Sequence, residues 1–165
     1  MPAEQCLERL MNEYGDSILR MCYLYLKDYQ LAEDATQETF IKAMKSYDSF
    51  KHKSSEKTWL IRIAINTCKN MMRKPWFQID QDHLENHREK SGDNPIDSFL
   101  EKASVSEAIM KLNANDRQII VLYYYQELSV REIAEIIGKT ENTTIQRLNR
   151  ARIKLKKILV EAGYE

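Results

Sequence analysis

Two stretches of this chain carry cations, amides and aromatic rings at spacings suited to nucleic acid. In the first, Arg62, Asn66, Lys69 and Arg73 recur at steps of four, three and four. On a helix they fall within one narrow arc, bordered by Trp59 and Asn70. The preceding Phe50-Lys-His-Lys-Ser-Ser-Glu-Lys57 adds a ring and three lysines, Lys51, Lys53 and Lys57. Cations that follow phosphates beside rings that stack bases are what a single strand requires. A buried helix with one solvated face is the bland alternative, and the neighbouring basic, aromatic loop weighs against it. In the second stretch, Lys139 to Lys157 holds seven basic residues against one acid, Glu141.

The second stretch is positioned by local signals. Ser129-Val-Arg-Glu132 reads as a capping box, the serine accepting from a free amide while the glutamate reaches back. Val130, Ile133, Ala134 and Ile137 follow at helical spacing, and Gly138 stops the helix because glycine tolerates a left-handed turn. Thr140 or Asn142 restarts a helix that runs through Arg147, Arg150, Arg152, Lys154, Lys156 and Lys157. A short helix, a glycine turn and a basic helix outline a helix-turn-helix aimed at the DNA major groove.

The first stretch belongs to a helical module of its own. Leu7, Leu10, Met11, Tyr14, Ile18, Cys22 and Tyr25 recur at steps of three and four, with Gly15-Asp16 as a point of interruption. A second helix, from about Leu31 to Tyr47, buries Ala32, Ala35, Thr39, Ala43 and Tyr47. Its outward face is Asp34, Gln37, Glu38, Ile41 and Lys45, a mixture suited to a protein partner or to plain solvent. The helix from about Thr58 to Arg73 presents Leu60, Ile63, Ala64, Thr67 and Met71 inward, and Pro75 ends it. Trp76 to Pro95, with the breaker cluster Gly92-Asp-Asn-Pro95, reads as a tether with little fixed structure. Strand signals are nearly absent. The expected fold is all-α: two small helical domains, residues 1–75 and 101–165, joined by a flexible acidic linker, residues 76–100.

At 165 residues and 43% hydrophobic content, the chain supports one ordinary domain or two small ones. The formal net charge is zero, yet it is unevenly distributed. Residues 1–75 carry a net +2, residues 76–101 a net −5 and residues 102–165 a net +3. Local fields count more than the total, because salt screens charges beyond roughly 8–10 Å. Cys6, Cys22 and Cys68 are widely spaced and form no CxxC pair, which suits a reducing cytosol rather than a disulfide framework. His83 and His87 stand at i, i+4 in an acidic stretch without a third ligand, and read as solvated. No metal or other cofactor is expected. No apolar run has membrane-spanning length and no leader pattern opens the chain, so a cytoplasmic protein without membrane insertion is expected. There is no glycine-rich phosphate loop, no histidine beside an obvious nucleophile and no metal-type carboxylate cluster, which argues against an enzyme.

Ala32-Glu-Asp-Ala-Thr-Gln-Glu-Thr-Phe40, Thr58-Trp-Leu-Ile-Arg-Ile-Ala-Ile-Asn66, Ser129-Val-Arg-Glu-Ile-Ala-Glu-Ile-Ile-Gly138 and Arg147-Leu-Asn-Arg-Ala-Arg152 occur in that order. Together they closely resemble the bacterial extracytoplasmic-function (group 4) sigma factors of the sigma-70 family, over nearly the whole chain apart from the linker. The resemblance implies a subunit that binds core RNA polymerase, directs it to promoters by reading −10 and −35 elements, and promotes melting. It assigns residues 1–75 to sigma region 2 and residues 101–165 to region 4.

Carried over by position, the resemblance places Asp34, Gln37, Glu38 and Ile41 on the coiled-coil clamp of the polymerase β′ subunit, with β as a further contact. It gives the −10 element to Phe50, Lys51, Lys53, Lys57, Trp59, Arg62, Asn66, Lys69, Asn70 and Arg73. There an unstacked base, which costs a few kcal/mol to extrude, is offset by stacking and hydrogen bonds. The −35 duplex falls to Thr140, Asn142, Thr143, Ile145, Gln146, Arg147, Asn149, Arg150 and Lys154, bases being met by the first turns and phosphates further along. Two positions depart from the family pattern: many members have glycine in place of Asn142 and a basic residue in place of Ile145. Isoleucine packs on a thymine methyl or turns into the core, whereas Gln146 has the geometry to pair with adenine. The acidic linker, with Asp80, Asp82 and Glu85, is expected to thread a polymerase channel, and an anti-sigma factor is a further partner of many members. A stand-alone helix-turn-helix regulator is the competing reading, but it leaves the Ala-Glu-Asp helix and the aromatic, basic loop without a task.

Overall fold

Every regular element of the computed structural model is helical, among the residues it describes, which are 3–50, 53–79 and 103–163. The chain divides into two compact units, Met1–Lys90 and Ser91–Glu165.

In the first unit α1 (Ala3–Leu26) passes through Gly15-Asp16 without a break. Its inner face, including Leu10, Ile18, Met21, Cys22 and Tyr25, is buried, and packing offsets the cost of a mid-helix glycine, about 1 kcal/mol. Lys27, at φ 66°, turns the chain, and Asp28 caps α2 (Tyr29–Ser46) by accepting from the Leu31 amide at 2.9 Å. α2 buries Ala32, Ala35, Thr39, Phe40 and Ala43. Tyr47, expected on that buried face, lies instead in a short 3-10 turn, Tyr47–Ser49, and is half-buried. The reason is a side-chain partner outside α2, described below.

α3 (Glu56–Met72) begins two residues before its expected start because the Ser55 hydroxyl accepts from the Thr58 amide at 3.0 Å. Its buried side is Thr58, Leu60, Ile61, Ala64, Ile65, Thr67 and Cys68, while Ile63, Met71 and Met72 are only half-buried. Cys6, Cys22 and Cys68 are buried free thiols, and contact with Cys22 together with burial pushes the Cys68 thiol well above its ordinary range. The chain beyond Pro75 departs from the expected tether at its start. Pro75–Ile79 forms a short helix, α4, whose Phe77 is buried. Proline ends α3 but is also suited to the first turn of a new helix, where its missing N–H costs nothing. Asp80, Asp82, His83, Glu85, His87 and the Gly92–Pro95 cluster lie outside the described residues.

In the second unit α5 (Ala103–Met110) and α6 (Ala114–Ile120) lead into a π-helical turn, Val121–Tyr125. Its wider winding is closed by the Gln126 amide donating to the Val121 carbonyl at 3.1 Å. α7 (Val130–Ile137) carries both halves of the capping box, with Ser129 and Glu132 exchanging bonds of 3.1 Å. Gly138 ends it at φ 69°, ψ 37°, a conformation that penalises a Cβ. Thr140 caps α8 (Glu141–Glu161), resolving the choice between Thr140 and Asn142.

Candidate nucleic-acid interfaces

α3 separates its faces as its 100° projection requires. Arg62, Asn66, Asn70 and Arg73 are exposed, Lys69 is half-buried, and the opposite side forms the core. Lys53 is exposed and Lys57 half-buried at the head of the helix; Lys51 lies outside the described residues. The two rings expected to stack bases instead stack on each other. Phe50 is only 9% exposed, its ring 4.7 Å from that of Trp59 at an interplanar angle of 13°. Tyr47 meets both edge-on or tilted, 6.1 Å from Phe50 and 5.8 Å from Trp59. Trp59 itself is half-buried, so the trio forms a wall at the base of the polar stripe.

An ionic anchor lies against that wall. Arg9 of α1 donates from both terminal nitrogens to the two carboxylate oxygens of Glu56, each at 2.8 Å, across 47 residues of sequence. The Tyr47 hydroxyl donates to Glu56 Oε2 at 2.8 Å and accepts from Arg9 Nη2 at 3.3 Å. Hydrogen bonds from Arg9 hold the Glu56 carboxyl below its ordinary 4.5 against the opposing effect of burial, with Tyr47 assisting. The same contacts raise Arg9 and, through Glu56, the Tyr47 phenol. No sequence signal marked Arg9 or Glu56. Arg9 also has a local partner, Glu13 at 3.2 Å, which makes it look like an ordinary i, i+4 pair.

The outward face of α2 exposes Asp34, Gln37, Glu38, Ile41 and Lys45, with Ile41 46% open. Lys42 closes one flank, reaching Glu38 at 3.1 Å and donating to Thr67 of α3 at 3.2 Å. An acidic-amide surface with one exposed isoleucine results.

α8 presents a different surface. Thr144, Leu148 and Ala151 are buried, while Asn142, Ile145, Gln146, Asn149 and Arg150 are exposed and Arg147 is half-buried. Ile145, at 43% exposure, is not a core residue. The Thr140 hydroxyl accepts from the Thr143 amide at 3.1 Å and donates to the Thr143 hydroxyl at 3.0 Å, so both threonines help start the helix. Further along, the cations turn back on their own domain. Arg152 Nε donates to the Tyr124 hydroxyl at 2.7 Å and lies over the Tyr123 ring at 5.0 Å. Lys154 reaches Asp116, in the first turn of α6, at 2.8 Å. The expected phosphate role of Lys154 therefore competes with an intramolecular ion pair. Among the described residues no group of three or more His, Cys, Asp or Glu side chains is arranged to hold a metal, and no helix is long and apolar enough to cross a membrane.

Residues 10–77 match the family described as Sigma-70 region 2, and residues 102–155 the family described as Sigma-70, region 4. The RNA polymerase sigma factor YlaC of Bacillus subtilis is 31% identical, over 100% of this chain and 98% of its own. The ECF RNA polymerase sigma factor SigW of the same organism is 33% identical, over 91% and 87%. Among solved structures, the sigma factor RpoE in complex with the anti-sigma factor NepR from Bartonella quintana is 26% identical and aligns with a TM-score of 0.69, over 92% of this chain and 97% of that one. CnrH, solved with the cytosolic domain of CnrY, has the same fold, with a TM-score of 0.69 over 97% and 90% at 20% identity.

Proposed function

The chain belongs to the sigma-70 family as an extracytoplasmic-function sigma factor, and on that premise we propose how its surfaces divide the recognition of a promoter. The protein directs RNA polymerase to promoters, a regulatory role in which the polymerase performs the chemistry. Residues 1–75 act as region 2, residues 76–100 as the linker and residues 101–165 as region 4. Asp34, Gln37, Glu38 and Ile41 bind the β′ clamp. Arg62, Asn66, Lys69, Asn70 and Arg73, with Lys51, Lys53 and Lys57 at the approach, hold the melted −10 strand. Phe50 and Trp59 form the ring wall against which a base stacks.

The −35 duplex is read from α8. Asn142, Ile145, Gln146 and Asn149 face base edges, with an isoleucine against a thymine methyl and a glutamine toward adenine. Thr140, Thr143, Arg147 and Arg150 fix the helix on the phosphates. Lys154 joins them only by exchanging Asp116 for a phosphate. The observation that carries the reading is that the polar stripe of α3 and the leading turns of α8 are both exposed on helices whose opposite faces are buried, one in each matched segment. A protein with this task works in the cytoplasm, where polymerase and chromosome are. An anti-sigma factor, such as the one bound to the B. quintana relative, fits it as a further partner. A stand-alone helix-turn-helix regulator is not favoured, because it leaves the whole first unit without a role.

Transcription in vitro with core polymerase and this chain tests the reading. It requires start sites that depend on the chain, lost on mutation of either promoter element, and little duplex binding by the chain alone. Start sites unchanged without the chain, or tight footprints without polymerase, exclude it.

A further inference from the structure

Glu56 opens α3, where a carboxylate is favoured by the helix dipole and needs no further partner. It has three all the same, Tyr14 of α1 being one. Arg9 reaches it from α1 as a two-pronged guanidinium–carboxylate pair with both bonds at 2.8 Å. Tyr47 reaches it from the end of α2, also at 2.8 Å. One ionised side chain therefore joins α1 and the 3-10 turn after α2 to the head of α3, at the point where the ring wall begins. Tyr47 is the link between the two, since its hydroxyl is fixed by Glu56 while its ring contacts Phe50 and Trp59. The parallel Phe50–Trp59 stack holds the wall at the foot of the Arg62–Asn66 stripe.

A wall that meets an unstacked base must already be in place, because ordering it on binding would consume the gain from stacking. Tyr47 is only half-buried and lies outside α2, so packing confines it less than a core ring. The carboxylate fixes its hydroxyl. We propose that Glu56, clamped by Arg9 and Tyr47, is a positioning residue for −10 recognition: it fixes the Tyr47–Phe50–Trp59 wall while touching no DNA itself. The proposal rests on the assignment of the α3 stripe to the −10 strand.

The test uses holoenzyme assembled from core polymerase and the full chain. Binding is measured on forked, pre-melted promoter DNA with a correct or a scrambled −10 element, and the readout is the ratio of the two affinities. Glu56→Gln lowers that ratio about tenfold, the scale of a lost charge-assisted contact, while affinity for core polymerase stays within about twofold. Arg9→Met lowers it equally and the double variant no further, because the two side chains act as one unit. Tyr47→Phe keeps the ring contacts and loses only the hydroxyl. It lowers the ratio about threefold at unchanged thermal stability, and carries the test if Glu56→Gln fails to fold. In a Trp76→Phe background, Trp59 emission becomes more accessible to acrylamide in each variant. A ratio unchanged in Glu56→Gln and Tyr47→Phe but abolished by Asn66→Ala overturns the positioning role and leaves the −10 surface standing. A ratio that Asn66→Ala and Arg62→Ala also leave unchanged overturns both. A purely structural effect, in which correct and scrambled DNA weaken alike, overturns the positioning role too.

Discussion

The two helices proposed to meet DNA, α3 and α8, are built in different ways. The head of α3 has a local cap in Ser55 but is also held by contacts distant in sequence, with Arg9 and Glu56 meeting across 47 residues and three rings, Tyr47, Phe50 and Trp59, gathered beside it. The head of α8 is set locally: Ser129 and Glu132 cap α7, Gly138 turns the chain and Thr140 caps α8. Midway along α8, Arg152 and Lys154 serve as struts to Tyr124 and Asp116. The difference suits the two substrates proposed for them. Duplex DNA offers a preformed groove, and a rigid helix held at the correct angle suffices to read it. A melted strand has no shape of its own, so the protein must supply a prepared wall.

The contrast can be broken in order of expected effect. Phe40 is 1% exposed beneath the α2 surface, and Phe40→Ala costs about 3–5 kcal/mol by loss of burial and a residual cavity. Chemical denaturation followed by circular dichroism measures the loss, and a cost below 1 kcal/mol would mean that the first unit does not depend on this packing. On α8, Gln146→Ala removes an exposed side chain proposed to meet bases, and discrimination at one −35 position falls by about 1–3 kcal/mol without loss of fold. Competition binding by holoenzyme across single-base variants of the −35 element reads it; uniform weakening would reassign Gln146 to the backbone.

Salt dependence separates grip from strut. Arg150→Ala reduces the slope of log affinity against log salt by about one, as loss of one phosphate contact must. Lys154→Ala leaves that slope unchanged and costs about 0–1 kcal/mol of stability, the value of an exposed ion pair. Equal slopes for the two variants would show that Lys154 exchanges Asp116 for DNA. The smallest effect is on pH dependence. The folded state holds the Glu56 carboxyl below its ordinary 4.5, so its stabilisation is present above that value and is lost as the pH falls through the depressed one. Glu56→Gln therefore flattens the acid limb of the stability profile and leaves the neutral range parallel to the parent. A midpoint-versus-pH series checks it, and an unaltered acid limb would detach Arg9 from Glu56 in solution.

Much of this architecture is legible along the chain. The α3 stripe and the buried face behind it follow from steps of three and four. The capping box and Gly138 delimit α7 because each acts on residues within one turn of itself. The short helix after Pro75 was hidden, since a proline reads equally as the end of one helix or the first turn of the next. Burial of Phe77 decides the matter, and burial is a property of the packed unit. Tyr47 illustrates the same limit. Periodicity placed it on the inner face of α2, yet a hydrogen bond to Glu56 holds it in a turn.

The order of residues alone determined the long helices α1, α2 and α3, the helix-turn-helix with its leading amides, and the outward acidic face of α2, because each depends on neighbours no more than four positions away. Tertiary structure decided which rings face which, that Phe50 leans on Trp59, and that Arg9 rather than a nearer cation anchors the head of α3. Those pairings span up to 47 residues. A contact of that range exists only once α1, α2 and α3 have packed, and no local preference encodes it.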